Sequence, residues 1–156
     1  VIAENGGIGI RSRVGHSYIK STMAQTGAVF GGEHSGHFYF NDFWRADSGM
    51  LAALYALAEL MASNLSLSEL LKPYNRYVSS GEINTKVKDV TKSISRVRDK
   101  YHGEYQVDEL DGLTITADTW WFNLRPSNTE PLLRLNVEAD TEKEMIKIRK
   151  AVLALI

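Results

Sequence analysis

Residues 32–37 of this 156-residue chain have the sequence Gly-Glu-His-Ser-Gly-His, which concentrates groups able to bind a polar ligand. Glu33, Ser35 and His37 lie two residues apart, so in an extended backbone their side chains would leave on the same face. One carboxylate, one hydroxyl and one imidazole offer the acceptors and donors that a polyhydroxylated ligand needs. The same composition is typical of a glycine-rich hairpin loop whose polar groups only cap the backbone.

A second set of polar groups lies at residues 125–131, which have the sequence Arg-Pro-Ser-Asn-Thr-Glu-Pro. This segment offers a dianionic phosphate an arginine fork, two hydroxyls, an amide and backbone N–H groups. Only the carboxylate of Glu130 would repel the phosphate. The alternative is a proline-bounded hairpin turn with local capping. His16 precedes a predicted helix, whose first N–H groups favour anions. Together these segments favour a phosphosugar ligand.

Several other chemistries lack the residues that they require. The chain has no cysteine, and its 18 Lys and Arg against 19 Asp and Glu give a net charge of −1, which disfavours nucleic-acid binding. It contains no P-loop, no Gly-x-Gly-x-x-Gly and no Gly-x-Ser-x-Gly elbow. A metal site built from Glu33, His34 and His37 is disfavoured because His34 would point away from the other two. We expect no membrane segment, because no apolar stretch approaches the roughly 20 residues that span a bilayer.

The first part of the chain alternates predicted strands and helices. Apolar alternation predicts strands at 8–13, 28–30 and 38–40, and a helix at 17–25 would end at Gly27. Further helices begin after Ser48 and after Ser66. The first of these two presents an apolar stripe that predicts a core-facing helix; its members are Met50, Leu54, Leu57 and Met61. The second begins with a capping box completed by Glu69.

The second part of the chain has a different order of elements. Strands are predicted at 83–87, 113–117, 120–125 and 132–137, with one helix from 90 to 101 and another after a Thr141/Glu144 capping box. Short connections imply antiparallel neighbours. We therefore predict an α/β domain over residues 1–72 and an α+β domain over 73–156, the latter with a four-stranded, mainly antiparallel sheet and two helices.

These segments, in this order, resemble the C-terminal half of the α-D-phosphohexomutases, in particular the bacterial phosphomannomutase/phosphoglucomutase branch. Residues 32–37 resemble the family's sugar-recognition loop, and residues 125–131 resemble its phosphate-binding loop. The resemblance implies that residues 1–72 are a truncated third domain and residues 73–156 the fourth domain. His34 and Asn128 resemble the branch that acts on mannose or glucose phosphates, rather than the glucosamine branch.

The resemblance also assigns roles to individual residues. Glu33 and Ser35 would hold sugar hydroxyls, and His37 would be the candidate acid or base near the transferred phosphoryl group. Five residues would clamp the phosphate that is not being transferred: Arg125, Ser127, Asn128, Thr129 and His16. In the family a phosphoserine and a hexose 1,6-bisphosphate intermediate interconvert hexose 6-phosphate and hexose 1-phosphate with Mg²⁺ bound.

Parts of the family pattern do not occur in these 156 residues. Neither the phosphoserine loop nor the Asp-Gly-Asp-x-Asp-Arg magnesium loop is present, and no residue of this chain is assigned to a metal. We therefore expect the missing N-terminal domains to supply Mg²⁺ and the phosphoserine, and the 156 residues alone to be inactive. The competing hypothesis is a noncatalytic phosphosugar-binding or assembly module. The family and the lack of cysteine favour a cytoplasmic protein.

Overall fold

The computed structural model describes residues 1–127 and 130–156, and separates them into two units, Val1–Asn75 and Arg76–Ile156. The first unit contains three helices and three strands. Its helices are α1 His16–Thr26, α2 Gly49–Ala62 and α3 Leu67–Leu71. Its strands are β1 Phe30–Gly32, β2 Phe38–Phe40 and β3 Ala46–Asp47, and short 3₁₀ turns lie at Ala3–Asn5, Asn41–Phe43 and Lys72–Tyr74.

The three strands of the first unit form an antiparallel sheet in the order β1-β2-β3. Phe30 pairs with Phe40, and Tyr39 pairs with Asp47. A small core of Ile19, Met23 and Tyr39 lies where α1 meets this sheet, and Gly31 lets the two approach closely. The sheet therefore holds the segment between β1 and β2 against the first helix.

The helix boundaries of the first unit follow its capping residues, as the sequence predicted. The Ser48 side chain accepts a hydrogen bond from the Leu51 N–H at 3.1 Å, and Ser66 with Glu69 forms a complete capping box. Gly27 ends α1 in the left-handed region, at a φ of +71°. Caps are local interactions, which is why they could be predicted from the sequence.

Two predictions for the first unit are wrong. Residues 8–13 form no strand, because they have no pairing partner among the described residues; Ile8 is 88% exposed. The apolar stripe of α2 does not face a core, since none of the 14 residues of this helix is buried. Among the described residues no single helix is long and apolar enough to cross a membrane, although α2 and Leu67–Tyr74 together, bent by 105°, match a span in length and composition.

The second unit is a six-stranded sheet with two helices. Its strands are β4 Val78–Ser79, β5 Ile83–Lys86, β6 Gln106–Asp108, β7 Leu113–Thr116, β8 Trp120–Pro126 and β9 Leu132–Ala139. Its helices are α4 Val90–Tyr101 and α5 Glu142–Leu153. The strand pairs are antiparallel in the order β4-β9-β8-β7-β6, and β5 also pairs with β9. The prediction of four strands missed β4 and β6, which are too short to show alternation.

One face of this sheet carries the core of the second unit. Alternate residues of β8 and β9 are buried, for example Phe122 opposite Val137 and Leu124 opposite Leu135. Val97 of α4 and Val152 of α5 complete this core, so both helices cover the same face. The predicted mixed α/β architecture, with helices on one side of an antiparallel sheet, is thereby confirmed.

The cap of α5 forms only in part. The Thr141 hydroxyl accepts the Glu144 N–H, as the predicted capping box requires. The Glu144 carboxylate, however, accepts a hydrogen bond from the Thr119 hydroxyl at 2.9 Å. This side chain therefore ties α5 to the start of β8.

Candidate functional site

Residues 33–37 form the tight connection between β1 and β2. The Glu33 N–H donates to the His37 carbonyl at 2.9 Å, and the Gly36 N–H donates to the Glu33 carbonyl at 3.0 Å. Gly36 has a φ of +85°, a conformation that favours glycine. The backbone here is turned rather than extended, so the expectation of three side chains on one extended face is wrong. The turn instead sets Glu33 and His37 opposite each other and leaves His34 and Ser35 exposed at its tip.

A buried tyrosine holds the carboxylate of Glu33. The Tyr39 hydroxyl donates a hydrogen bond to Glu33 Oε1 at 2.5 Å, and the Tyr39 side chain is 0% exposed. Burial, and the neighbouring Glu33 carboxylate, raise the pKa of Tyr39 well above its usual value. The phenol therefore stays protonated and remains a hydrogen-bond donor, which leaves the second oxygen of Glu33 available to a ligand hydroxyl.

An aspartate that the sequence analysis did not single out holds His37. The Nδ1 atom of His37 lies 2.6 Å from Asp47 Oδ2, and the other carboxylate oxygen accepts the Phe38 N–H at 2.9 Å. The hydrogen bond to Asp47 raises the pKa of His37 above its usual 6.5, and the same bond lowers the pKa of Asp47. His37 is therefore a half-exposed imidazole with a fixed carboxylate partner.

His16 lies beside this pair at the start of α1. Its ring centroid is 4.8 Å from that of His37 and 5.4 Å from that of Tyr39, both in edge-to-face arrangements. The preceding Gly15 has a φ of +125°, so the chain enters the helix in a conformation that few other residues adopt. His16 thus belongs to the same cluster as Glu33 and His37.

Three residues of this cluster have side chains of the types that bind metal ions. Among the residues that the structure describes, His16, His37 and Asp47 bring one potential ligand atom each within 4.8 Å of one another. Mg²⁺ prefers six oxygen ligands, whereas this set offers two ring nitrogens and one carboxylate. His37 Nδ1 is also already bonded to Asp47. The cluster therefore does not fit the Mg²⁺ that the family resemblance implies.

Arg125 lies near the end of β8, in the second unit. Its guanidinium is 3.5 Å from a carboxylate oxygen of Glu82, whose other oxygen is 3.7 Å from the Arg134 guanidinium. Gly112 packs directly against Arg125, because a Cβ built on Gly112 would lie 2.6 Å from the Arg125 Cβ. Two arginine head groups therefore share one carboxylate, and the absence of a side chain at Gly112 leaves room for Arg125 to pack against it.

The segment after Arg125 is described only in part. The Ser127 N–H donates to the Leu132 carbonyl at 2.9 Å, which links the residue after β8 to the first residue of β9. The predicted ligands Asn128 and Thr129 lie outside the described residues. Of the predicted phosphate ligands, Arg125 and Ser127 lie in the second unit, and His16 lies in the first.

Sequence reasoning missed four residues that support these groups. They are Tyr39, Asp47, Glu82 and Arg134. Two of them have a signal that could have found them: Tyr39 is the middle residue of a predicted strand, and Arg134 alternates with Leu133 and Leu135 and so had to lie on the polar face. Asp47 and Glu82 carry no such signal, because each meets its partner only through tertiary structure.

Comparison with known proteins agrees with this arrangement of elements. The family model for phosphoglucomutase/phosphomannomutase alpha/beta/alpha domain III matches residues 1–77, and the model for the C-terminal domain of the same family matches residues 82–155. Both models describe successive domains of the same proteins, and together they span nearly all of the sequence. The chain therefore belongs to the phosphoglucomutase/phosphomannomutase family.

Individual relatives point the same way. A phosphomannomutase of Methanocaldococcus jannaschii is 48% identical over 93% of this chain and 32% of its own length. A phosphomannomutase of Escherichia coli is 39% identical over 100% of this chain and 35% of its own length. A crystal structure of a phosphoglucomutase/phosphomannomutase family protein from Burkholderia thailandensis matches with a TM-score of 0.83 at 29% identity, over 98% of this chain and 33% of that one. The chain thus spans about a third of the length of these relatives.

Proposed function

We propose that this chain is the substrate-recognition half of a phosphomannomutase/phosphoglucomutase. The complete enzyme would interconvert hexose 6-phosphate and hexose 1-phosphate of mannose or glucose, through a phosphoserine and a hexose 1,6-bisphosphate. The first unit would bind the sugar and the second unit the phosphate that is not transferred. The relatives are named phosphomannomutases, which supports this reaction class.

The proposal depends chiefly on the two hydrogen bonds that hold the side chains of Glu33 and His37 in place. Each side chain occupies one end of the same turn, and each is held by a hydrogen bond from within the first unit, to Tyr39 and to Asp47. A group held in advance loses less conformational entropy when a ligand binds. A loop whose polar groups merely capped its own backbone would not need these two partners.

The arginines of the second unit support a phosphate site. Arg125 offers two parallel N–H donors, which match two phosphate oxygens in a way that lysine cannot. Arg134 adds a second positive charge beside it, held through Glu82. Holding the distant phosphate would fix the position of the reacting hydroxyl, and such orientation can supply several kcal/mol of the reduction in the barrier.

His16, Ser127, Asn128 and Thr129 complete the proposed set of phosphate ligands, and Ser35 would join Glu33 in binding sugar hydroxyls. His37 would hold or move the proton of the hydroxyl that gains or loses the phosphoryl group. When bound, Mg²⁺ would stabilise charge on that group. The cluster of His16, His37 and Asp47 does not fit Mg²⁺, so we propose that the metal and the phosphoserine are both supplied by parts of the whole protein outside these 156 residues. The 156 residues alone would then bind the substrate without turning it over.

Calorimetric titration with mannose 1-phosphate tests the proposal. Replacing Arg125 by Ala should weaken binding by about 1.5–3 kcal/mol, the value of a charge-assisted hydrogen bond. The matched control is Arg98→Ala, because Arg98 lies on α4 of the same unit and pairs with Glu109 instead. We expect the control to bind like the unaltered chain. Equal affinities for Arg125→Ala and the unaltered chain would contradict the proposed clamp.

A further inference from the structure

We propose that Asp47 is a positioning residue that fixes the ring and the tautomer of His37. Asp47 would keep the proton of the neutral imidazole on Nδ1, so that Nε2 is the atom that exchanges a proton with the substrate hydroxyl. This inference deepens the proposed function, in which His37 is the candidate acid or base. It concerns a residue ten positions away in sequence, outside every segment that resembled the family's loops.

The hydrogen-bond geometry leaves only one arrangement of the proton. An ionised carboxylate has no hydrogen to donate, so the hydrogen in the 2.6 Å contact between His37 and Asp47 must come from Nδ1. In the neutral imidazole the lone pair then belongs to Nε2, on the opposite edge of the ring. The carboxylate therefore determines which nitrogen can act as a base.

The backbone holds Asp47 firmly enough for this role. Its second oxygen accepts the Phe38 N–H at 2.9 Å, so one carboxylate is bonded to two consecutive residues of the chain. The Ser48 N–H donates to the Phe38 carbonyl at 2.9 Å, and Tyr39 pairs with Asp47 in the sheet. The Asp47 side chain is 25% exposed, against 42% for His37. The Asp47 carboxylate is thus less exposed than the His37 ring to which it is bonded.

The other groups near His37 are consistent with an imidazole that accepts and returns a proton. His16 faces it from α1, Glu33 from the turn and Asp47 from β3, while the Tyr39 hydroxyl is bonded to Glu33. The two carboxylates favour the imidazolium, and the Asp47 hydrogen bond is the largest cause of the raised pKa of His37. The His16 ring lies edge to face against the His37 ring, with 4.8 Å between their centroids.

The proton transfer and the phosphoryl transfer need no oxidant or reductant. Nε2 takes the proton of the sugar hydroxyl, and the electron pair of that O–H bond stays on the oxygen, which forms a bond to phosphorus. The bond between phosphorus and the phosphoserine oxygen breaks, and its electron pair leaves with the serine oxygen. The imidazolium keeps its Nδ1 hydrogen bond to Asp47, and it returns the Nε2 proton in the reverse step.

Long-range ¹H–¹⁵N spectra of the 156-residue chain test the inference, because they distinguish protonated from unprotonated ring nitrogens. Well above its pKa, His37 should be the Nδ1–H tautomer, and its pKa should lie above the ordinary 6.5. In Asp47→Asn the amide oxygen can keep the Phe38 N–H, so the NH₂ group would face Nδ1 and reverse the tautomer. The pKa of His37 should also fall. Asp42→Asn is the matched control, since it removes one exposed carboxylate from the same unit and should change neither property.

The full-length enzyme provides the catalytic measurement. There Asp47→Asn should lower kcat by about 100-fold or more with little change in KM, because general acid–base catalysis contributes about 10²- to 10⁴-fold. Adding Asp47→Asn to His37→Asn should lower kcat no further.

Two results would overturn the inference. One is an Nε2–H tautomer in the unaltered chain, a measurement that remains decisive even if Asp47→Asn does not fold. The other is unchanged kcat in Asp47→Asn. Both are independent of the Arg125→Ala titration, so failure of the proposed function and failure of this inference are distinguishable.

Discussion

At the scale of single residues, each unit combines proposed ligand-binding groups with partners that hold them. In the proposed function Glu33 and His37 would bind and react with the substrate, and each is hydrogen-bonded to a partner, Tyr39 and Asp47 respectively. Arg125 shares the carboxylate of Glu82 with Arg134. The partners are as informative as the ligands, because a side chain held by a hydrogen bond is already oriented before the substrate arrives.

Removing the hydroxyl of Tyr39 should loosen Glu33. Tyr39→Phe keeps the buried ring but loses the bond to the carboxylate, so we expect the first unit to lose about 1 kcal/mol of stability. The loss should be no larger, because half-buried Glu33 can turn to water. Urea titration followed through amide signals of the first unit measures this change. Tyr18→Phe removes an exposed hydroxyl from the same unit and is the control; an equal effect from both substitutions would contradict the role of Tyr39.

The parts of the site that the sequence could predict are those with local signals. Glu33, Ser35 and His37 lie in one short segment, and caps such as Ser48 act within four residues. Asp47 reaches His37 only because β3 pairs with β2, and Glu82 reaches Arg125 and Arg134 through the sheet of the second unit. Contacts of this kind depend on which strands pair and in which register, and side-chain alternation within one strand does not specify either.

At the scale of elements, tight connections set the positions of the functional groups. The turn between β1 and β2 sets Glu33 opposite His37, and the glycine that precedes β7 lies against Arg125 of β8. The prediction of a strand at residues 8–13 was wrong for a related reason. Alternation describes the two faces of a strand, but a strand forms only when another strand supplies hydrogen-bond partners.

Replacing Gly112 should disturb the proposed phosphate clamp. Gly112→Ala places a methyl group 2.6 Å from the Arg125 Cβ at a residue with a φ of +73°. We expect a loss of stability from the left-handed backbone and about 1–3 kcal/mol more from overpacking. Binding of mannose 1-phosphate should weaken as Arg125 moves.

The control for this substitution is Gly103→Ala. Gly103 has a φ of +86° but open space around its Cβ position, so it carries the backbone cost alone. Thermal unfolding and calorimetric titration of the two variants measure the difference. Equal stability and equal affinity in the two variants would contradict a close packing role for Gly112.

At the scale of the whole molecule, the two units differ in how much core they contain. The second unit buries a large cluster of apolar residues between its sheet and its two helices, whereas the buried cluster of the first unit consists of Ile19, Met23 and Tyr39. The apolar side of α2 stays exposed, with Met50 at 78% and Met61 at 85%. Stability on folding scales with the apolar area removed from water, so the second unit should be the more stable.

Amide hydrogen exchange of the 156-residue chain measures this difference. We expect the slowest exchange in β7, β8 and β9, where the central strands are hydrogen-bonded on both sides and packed on the core. Amides of β1, β2 and α2 should exchange much faster. Equal protection in the two units would contradict the difference in core size.

The central claim is the proposal that residues 32–37 and the segment around Arg125 and Ser127 both take part in binding a hexose phosphate. Titrating the isotopically labelled chain with mannose 1-phosphate, while following backbone amide signals, tests it most directly, with inorganic phosphate and free mannose as controls. We predict shifts at residues 32–37 and around Arg125 and Ser127 with mannose 1-phosphate, and smaller, partial responses to the controls. A well-dispersed spectrum in which mannose 1-phosphate moves neither segment would contradict the account.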